Sequence, residues 1–245
     1  MRLIRVHLEE SLAEGARVAM RGAAAAHVRR VLRLEAGDAV TLFNGDGADY
    51  PARIRALSRD AVEVEVLGRT DARAESPLAV TLVQGIARAE RMDLLVQKAT
   101  ELGVAAIQPV ATARSVVKLD AGSRARKVLR WRGIAIAACE QCGRARLPIL
   151  AEPRTLASWL QEPAPAGALR IHLALDAEDS LAEAAGGARR VELLVGPEGG
   201  LEDAERTAAA SAGYRTCRLG PRILRSETAA LAALAVLQAV AGDLG

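Results

Sequence analysis

Aromatic side chains are nearly absent: one Phe, two Trp and two Tyr in 245 residues, 2% of the chain. A core of stacked rings is excluded, and so is any recognition that works mainly by aromatic stacking. Lysine is scarce too. Of 33 basic residues only Lys98, Lys118 and Lys127 are Lys, and the rest are Arg. Cysteine is limited to Cys139, Cys142 and Cys217, an odd and small number that excludes a secreted disulfide framework. No apolar run reaches membrane-spanning length, and the opening MRLIRVHLEE is charged throughout, which excludes a signal peptide. The expected location is the cytoplasm, with no membrane partner. What the chain has in quantity is small and aliphatic residues, within a composition that is 51% hydrophobic. The net charge is +3, mild enough that the distribution of charge matters more than its sum.

The first seventy residues read as β-rich. VTLF (40–43), ARIRAL (52–57) and AVEVEVLG (61–68) are short strands, the last alternating apolar and acidic with the period of a half-buried strand. NGDGAD (44–49) is a hairpin turn, and RGAAAAHVRRVLRL (21–34) is a helical piece. RTDARAESP (69–77) is polar, aperiodic and ends in Pro, so a linker is expected there. The rhythm then changes to alternating strand and helix. Strands are expected at 78–84, 105–110, 147–150, 170–175, 191–195 and 214–219. Helices are expected at 90–103, 123–143, 155–161, 201–213 and 226–242. Such alternation means a mostly parallel sheet covered by helices. The expected division is 1–72 and 73–245.

Two stretches concentrate the chemistry. LLVGPEGGLED (193–203) and LGPRILRSETAA (219–230) each run from a strand through a Gly/Pro loop into a helix. In open α/β sheets that edge is where ligands bind, and glycine lets backbone N–H groups come close to them. Neither loop carries the GxxxxGK[ST] or GxGxxG phosphate fingerprint, so a nucleoside triphosphate or dinucleotide is disfavoured, and with it a nucleotide-dependent oxidoreductase. Glu202, Asp203 and Glu205 crowd the helix start and favour a neutral or cationic ligand. In the second loop Arg222, Arg225 and Glu227 surround Ile223 and Leu224, an apolar pair able to flank a planar base. Ser226 is expected to cap the last helix.

Basic residues cluster at 15–34, where Arg17, Arg21, Arg29, Arg30 and Arg33 have no acid among them, and again between 111 and 154. Such clusters are the footprint of a nucleic-acid surface. Arg21, Arg29, Arg30, Arg33 and Arg114 are the leading candidates. His27 stands in the same segment and is expected half-buried. CEQC (139–142) is a lone CxxC with no second pair and no nearby His, so packed cysteines on a helix are expected and no metal.

GPEGG with LGPRILRSETA resembles the signature of the SPOUT methyltransferases, specifically the family that methylates N3 of a uridine in small-subunit ribosomal RNA. HVRRVLRLEAGDAVTLFNGDG, ERMDLLVQKATELGVAAIQPVATARSVVK and RWRGIAIAACEQCGRARLP carry the likeness across most of the chain, in order. The resemblance implies a C-terminal parallel α/β domain with a trefoil knot, preceded by a small PUA-like β-barrel that binds RNA. It implies S-adenosylmethionine as cofactor, bound by Gly196, Pro197, Glu198, Gly199 and Gly200 and by Leu219, Gly220, Ile223, Leu224, Arg225 and Thr228, with Leu175 beside them. It implies a homodimer acting on 16S ribosomal RNA of the small subunit, with Gln141 and Arg144 on the target-uridine side. Methylating N3 requires loss of a proton, so a cation or a base is needed; Arg225 is expected in the electrostatic role and Glu227 as the base. The alternative is a non-catalytic RNA-binding or ribosome-assembly factor on the same fold.

Overall fold

The computed structural model describes residues 4–72, 74–115 and 121–245. Two compact units are present: Met1–Glu75 with Ile136–Leu147, and Ser76–Ala135 with Pro148–Gly245.

The first unit is a curled sheet. Its strands are β1 (Arg5–His7), β2 (Arg17–Arg21), β3 (Ala39–Phe43), β4 (Ala48–Leu57), β5 (Ala61–Val66) and β6 (Thr70–Asp71). They run in the order β1-β3-β4-β5-β2, with β6 on β4; β1 and β3 are parallel and the other pairs antiparallel. Alternation in β5 buries Val62, Val64 and Val66 against Met20, Leu42 and Ile54 and leaves Glu63 exposed. The β3–β4 turn is held by its own side chains: Asn44 Oδ1 accepts from the Asp46 amide, and Asp46 accepts from the Ala48 amide and the Tyr50 hydroxyl. The helical piece after β2 is an α-turn, α1 (Gly22–Ala26), that widens into a π-turn over His27–Val31.

The expected linker is tied down in part. Thr70 and Asp71 pair with β4, and the Glu75 carboxylate accepts from the Ala145 and Arg146 amides at 3.0 and 2.8 Å. A polar, aperiodic stretch can be fixed by backbone pairing that leaves no hydrophobic pattern.

The second unit is a parallel sheet. Its strands are β7 (Ala79–Gly85), β8 (Ala106–Ala111), β9 (Ile149–Leu150), β10 (Arg154–Thr155), β11 (Leu169–Leu173), β12 (Arg190–Val195) and β13 (Arg215–Cys217). The order is β10-β8-β7-β12-β11-β13, with β9 also on β8, and every pair is parallel. The helices are α2 (Ala89–Glu101), α3 (Ala121–Cys142), α4 (Leu156–Leu160), α5 (Leu181–Ala184), α6 (Asp203–Ser211) and α7 (Ser226–Ala241). From α3 only the part through Ala135 belongs to this unit.

Central strands are buried on both faces, so they read as continuous apolar runs. β12 is buried from Val191 to Val195. α7 buries Ala230, Ala233, Leu234 and Leu237, an i, i+3, i+4, i+7 stripe, against α2 and α5. Small residues on that stripe let backbones approach closely, which suits a cluster whose buried ring among the described residues is Trp131. No helix among the described residues is long and apolar enough to cross a membrane.

Candidate active site

Because all strands of the second sheet are parallel, the segments leaving β7, β11, β12 and β13 emerge at one edge. There they surround a cavity of about 470 Å³. The loop after β12 supplies Gly196, Pro197, Glu198 and Gly200; the segment after β13 supplies Leu219, Gly220, Ile223, Leu224 and Arg225; the end of β11 and its extension supply His172 and Leu175.

The two loops are stitched together from below. Ser226 Oγ donates to the Gly196 carbonyl at 2.6 Å and accepts from buried Gln84 Nε2 at 2.8 Å. Ser226 is therefore not the cap of α7: the cap position is Arg225, without a side-chain hydrogen bond, and Ser226 is the first helical residue. Its hydroxyl is spent on joining β7, the first loop and α7. Close approach leaves no room for larger residues here. A Cβ on Gly85 would stand 2.5 Å from the Pro197 nitrogen, and one on Gly196 would stand 3.2 Å from the Gly200 backbone. Gly200 (φ 69°) and Gly220 (φ 76°) adopt the left-handed conformation that glycine tolerates without strain.

The cavity wall is mostly aliphatic. Leu173, Val195, Leu201 and Leu219 line it, and two further lining residues leave apolar side chains in the open: Ile223 is 87% exposed and Leu175 50%. Exposed aliphatic side chains at a cavity are a ready contact for an apolar ring. His172 is buried in β11 and still lines the cavity; burial, reinforced by the Arg206 cation, pushes its imidazole down to about 4 while Asp176 opposes the shift, so it is neutral at pH 7.

Three expected site residues lie elsewhere. Gly199 does not line this cavity. It faces Arg114, whose Nη1 donates to the Gly199 carbonyl at 2.8 Å, and a Cβ there would meet the Arg114 side chain at 3.2 Å. Thr228 is exposed on α7 and outside the cavity lining. Glu227 is buried and also outside the lining. Its Oε1 stands 3.7 Å from Arg91 Nε, and its Oε2 has no hydrogen-bond partner among the described residues.

Arg91 escaped the sequence reading. It sits in the first turn of α2, lines the cavity, and donates from Nη1 to Glu198 Oε1 at 2.6 Å. One guanidinium thus faces a carboxylate from each loop segment. The surrounding helix pattern, with Met92, Leu95, Val96 and Ala99 buried, marks Arg91 only as a residue off the core face. Arg225 is exposed, lines the cavity, and makes no ion pair among the described residues.

The expected RNA-facing residues of the first unit, Arg21, Arg29, Arg30 and Arg33, are all exposed. Arg29 Nη1 donates to the Arg59 carbonyl. Arg33 has φ 53°, an uncommon conformation for a residue with a Cβ. His27 is exposed, not half-buried, because the π-turn gives the inward position to Val28. Gln141 is exposed, whereas Arg144 is 5% exposed and ion-paired to Glu75 at 3.1 Å. Its charge is committed inside the unit. Cys139 is packed with Phe43 and Ala145, and burial pushes its thiol up to about 12, which makes it a poor thiolate at neutral pH.

The description "RNA methyltransferase domain" fits residues 74–238, and "RNA methyltransferase PUA domain" fits 21–67. Ribosomal RNA small subunit methyltransferase E of Bacillus subtilis is 32% identical over 224 residues, covering 86% of this chain and 85% of that one. The chain belongs to this methyltransferase family. A Ribosomal RNA small subunit methyltransferase E from Neisseria gonorrhoeae, solved bound to S-adenosyl methionine, superposes with a TM-score of 0.93 at 35% identity over the whole of both chains. A Legionella pneumophila protein solved with bound SAM superposes with a TM-score of 0.94 at 38% identity, also over both whole chains.

Proposed function

We propose that this protein transfers a methyl group from S-adenosylmethionine to N3 of a uridine in 16S ribosomal RNA of the small subunit, as a cytoplasmic homodimer. The observation that carries the reading is the meeting of the two glycine loops at one cavity, joined through Ser226.

The residues present fit the cofactor. The cavity has aliphatic walls for an adenine and loop backbone free of side chains at Gly196 and Gly200. Gly196, Pro197, Glu198 and Gly200, with Leu175, Leu219, Gly220, Ile223, Leu224 and Arg225, would hold it; Gly199 and Thr228 support the loop and helix from outside. S-adenosylmethionine supplies the methyl: as the N3–CH₃ bond forms, the CH₃–S⁺ bond breaks and its electron pair stays on sulfur.

The chain's own part is placement and electrostatics. Uracil N3 must lose its proton, and the negative charge left behind spreads onto O2 and O4. Arg225, which has no acidic partner among the described residues, is the proposed cation for that charge. Glu227 serves from behind the wall, as the carboxylate facing Arg91. In the first unit Arg21, His27, Arg29, Arg30 and Arg33 form the proposed RNA-binding face, within a domain read as 1–72. Arg114 and exposed Gln141 are proposed as further RNA contacts, and the last strands with α7 as the knotted segment.

The test is small-subunit RNA from cells lacking the gene, incubated with purified protein and S-adenosylmethionine and analysed by nucleoside mass spectrometry. A base-methylated uridine with the methyl on N3 is expected. A ribose-methylated product, or RNA binding without methylation, would overturn the reading.

A further inference from the structure

A second, smaller cavity of about 240 Å³ adjoins the first. Its lining is Arg88, Arg91, Arg114, Glu198 and Gly199, and it shares Arg91 and Glu198 with the cofactor cavity. The two shared residues lie where the two spaces meet. Methyl transfer is an in-line displacement, so the nucleophile must enter from a space that opens onto the cofactor cavity. The small cavity borders the cofactor cavity through Arg91 and Glu198, and Arg91 stands at the junction.

Arg91 is held there from two sides. Nη1 donates to Glu198 Oε1 at 2.6 Å, and Nε stands 3.7 Å from Glu227 Oε1, too long for a hydrogen bond. These contacts fix the fork and leave further guanidinium N–H groups for a ligand. The cation is 32% exposed, open to the cavities and partly shielded from water. Arg88, the residue before α2, is exposed with no side-chain partner among the described residues. Arg114 completes the lining, with its Nη1 on the Gly199 carbonyl.

We propose that the small cavity receives the target uracil and that Arg91 is a catalytic residue, donating to one of the two carbonyl oxygens that flank N3. This rests on the methyl-transfer reading of the larger cavity. The N3–H bond breaks and its proton goes to solvent. The electron pair stays on N3 and delocalises onto O2 and O4, where Arg91 stabilises it, and N3 then takes the methyl with the balance given above. Uracil has two such oxygens, so Arg91 and Arg225 each have a place. Cytosine offers a single carbonyl beside N3 and an amino group on the other side, which would face an arginine donor with a second donor.

The experiment compares wild type, Arg91→Met and Arg91→Lys on RNA carrying uridine or 5-fluorouridine at the modified position. Fluorine makes N3 more acidic, so the reaction needs less help from a cation. Arg91→Met is expected to lower kcat about 100-fold on uridine RNA, to leave S-adenosylmethionine affinity by calorimetry within about threefold, and to recover most of the deficit on 5-fluorouridine RNA. Arg91→Lys should fall between, with the same dependence on the substrate. An equal deficit on both RNAs, or an unchanged kcat, would overturn the proposal. If Arg91→Met does not fold by circular dichroism, the Arg91→Lys comparison decides by the same criterion. Wild-type turnover on uridine RNA separates failure of this assignment from failure of the methyltransferase reading.

Discussion

Two arginine–glutamate clusters of the parallel-sheet unit, one at Arg170 and one at Arg91, use the same residue types in opposite ways. In the first, Arg170 on β11 and Glu192 on β12 are cross-strand partners, 6% and 2% exposed. Arg170 Nε donates to Glu192 Oε2 at 2.6 Å, Nη1 to the Ala212 carbonyl and Nη2 to the Glu162 carbonyl. The Tyr214 hydroxyl donates to the same carboxylate and accepts from Trp159 Nε1, and burial raises its pKa. All three Arg170 guanidinium nitrogens donate, and Glu192 Oε2 accepts from two donors. In the second, Arg91 serves Glu198 closely and Glu227 loosely, the Glu227 Oε2 has no hydrogen-bond partner among the described residues, and Arg91 and Glu198 line two cavities. A saturated cluster has nothing left to offer a ligand, and an unsaturated one does. The difference separates a structural ion pair from a candidate functional one without reference to sequence motifs.

The sharpest way to break the comparison is at Arg170. Arg170→Ala leaves Glu192 buried with a charge and no cation, which is expected to cost about 3–5 kcal/mol of unfolding free energy. Urea titration measures this, and a loss below about 1 kcal/mol would mean that the cluster is not the sealed one described. Specific activity per folded molecule at low temperature should be kept, since no atom of this cluster lines the cavity.

His172 lies two residues from Arg170 on the same face of β11 but lines the cavity, and it gives the next largest effect. Its pKa falls from 6.5 to about 4 on folding. Above 6.5 both states are neutral and the residue adds no pH dependence. As pH drops from 6.5 towards 4 the unfolded chain takes up the proton first, so stability is lost, by roughly 3 kcal/mol at most. Denaturation at stepped pH should show this slope, and His172→Asn should flatten it. An identical slope in the variant would place the imidazole in water.

Much of this arrangement is legible in the residues themselves, and the part that is not has a physical reason. The loops at 193–203 and 219–230 announce themselves because Gly and Pro break apolar strands, and local chain stiffness is a local property. β7, β8, β11 and β12 stand out because strands buried on both faces are mostly apolar, although Arg170, His172 and Glu192 interrupt the runs. Arg91 does not, because its meaning comes from meeting Glu198 and Glu227, residues more than a hundred positions away, across a sheet edge. Ser226 reads as a cap by its place before a helix, yet a hydroxyl goes to the strongest available partners, and tertiary packing put Gln84 and Gly196 within reach. The exposure of His27 follows from one extra residue in a helical turn, which no periodicity reveals. Arg144 counts as a basic residue in any tally of charge, although Glu75 has already taken its cation out of circulation.

The smallest expected effect sharpens the comparison most. Glu198→Gln removes the close partner of Arg91 with little change of shape. Glu198 and Arg91 are 29% and 32% exposed, so water screens the pair and its loss should change stability by less than about 1 kcal/mol, against the several expected at Arg170. Thermal denaturation of the two variants side by side measures the contrast. A Glu198→Gln loss as large as that of Arg170→Ala would make the cavity cluster a structural ion pair as well, and the distinction between saturated and unsaturated clusters would fail for this fold. A small loss accompanied by weaker turnover would mean that the charge of Glu198 is kept for the position of Arg91, since the fold does not depend on it.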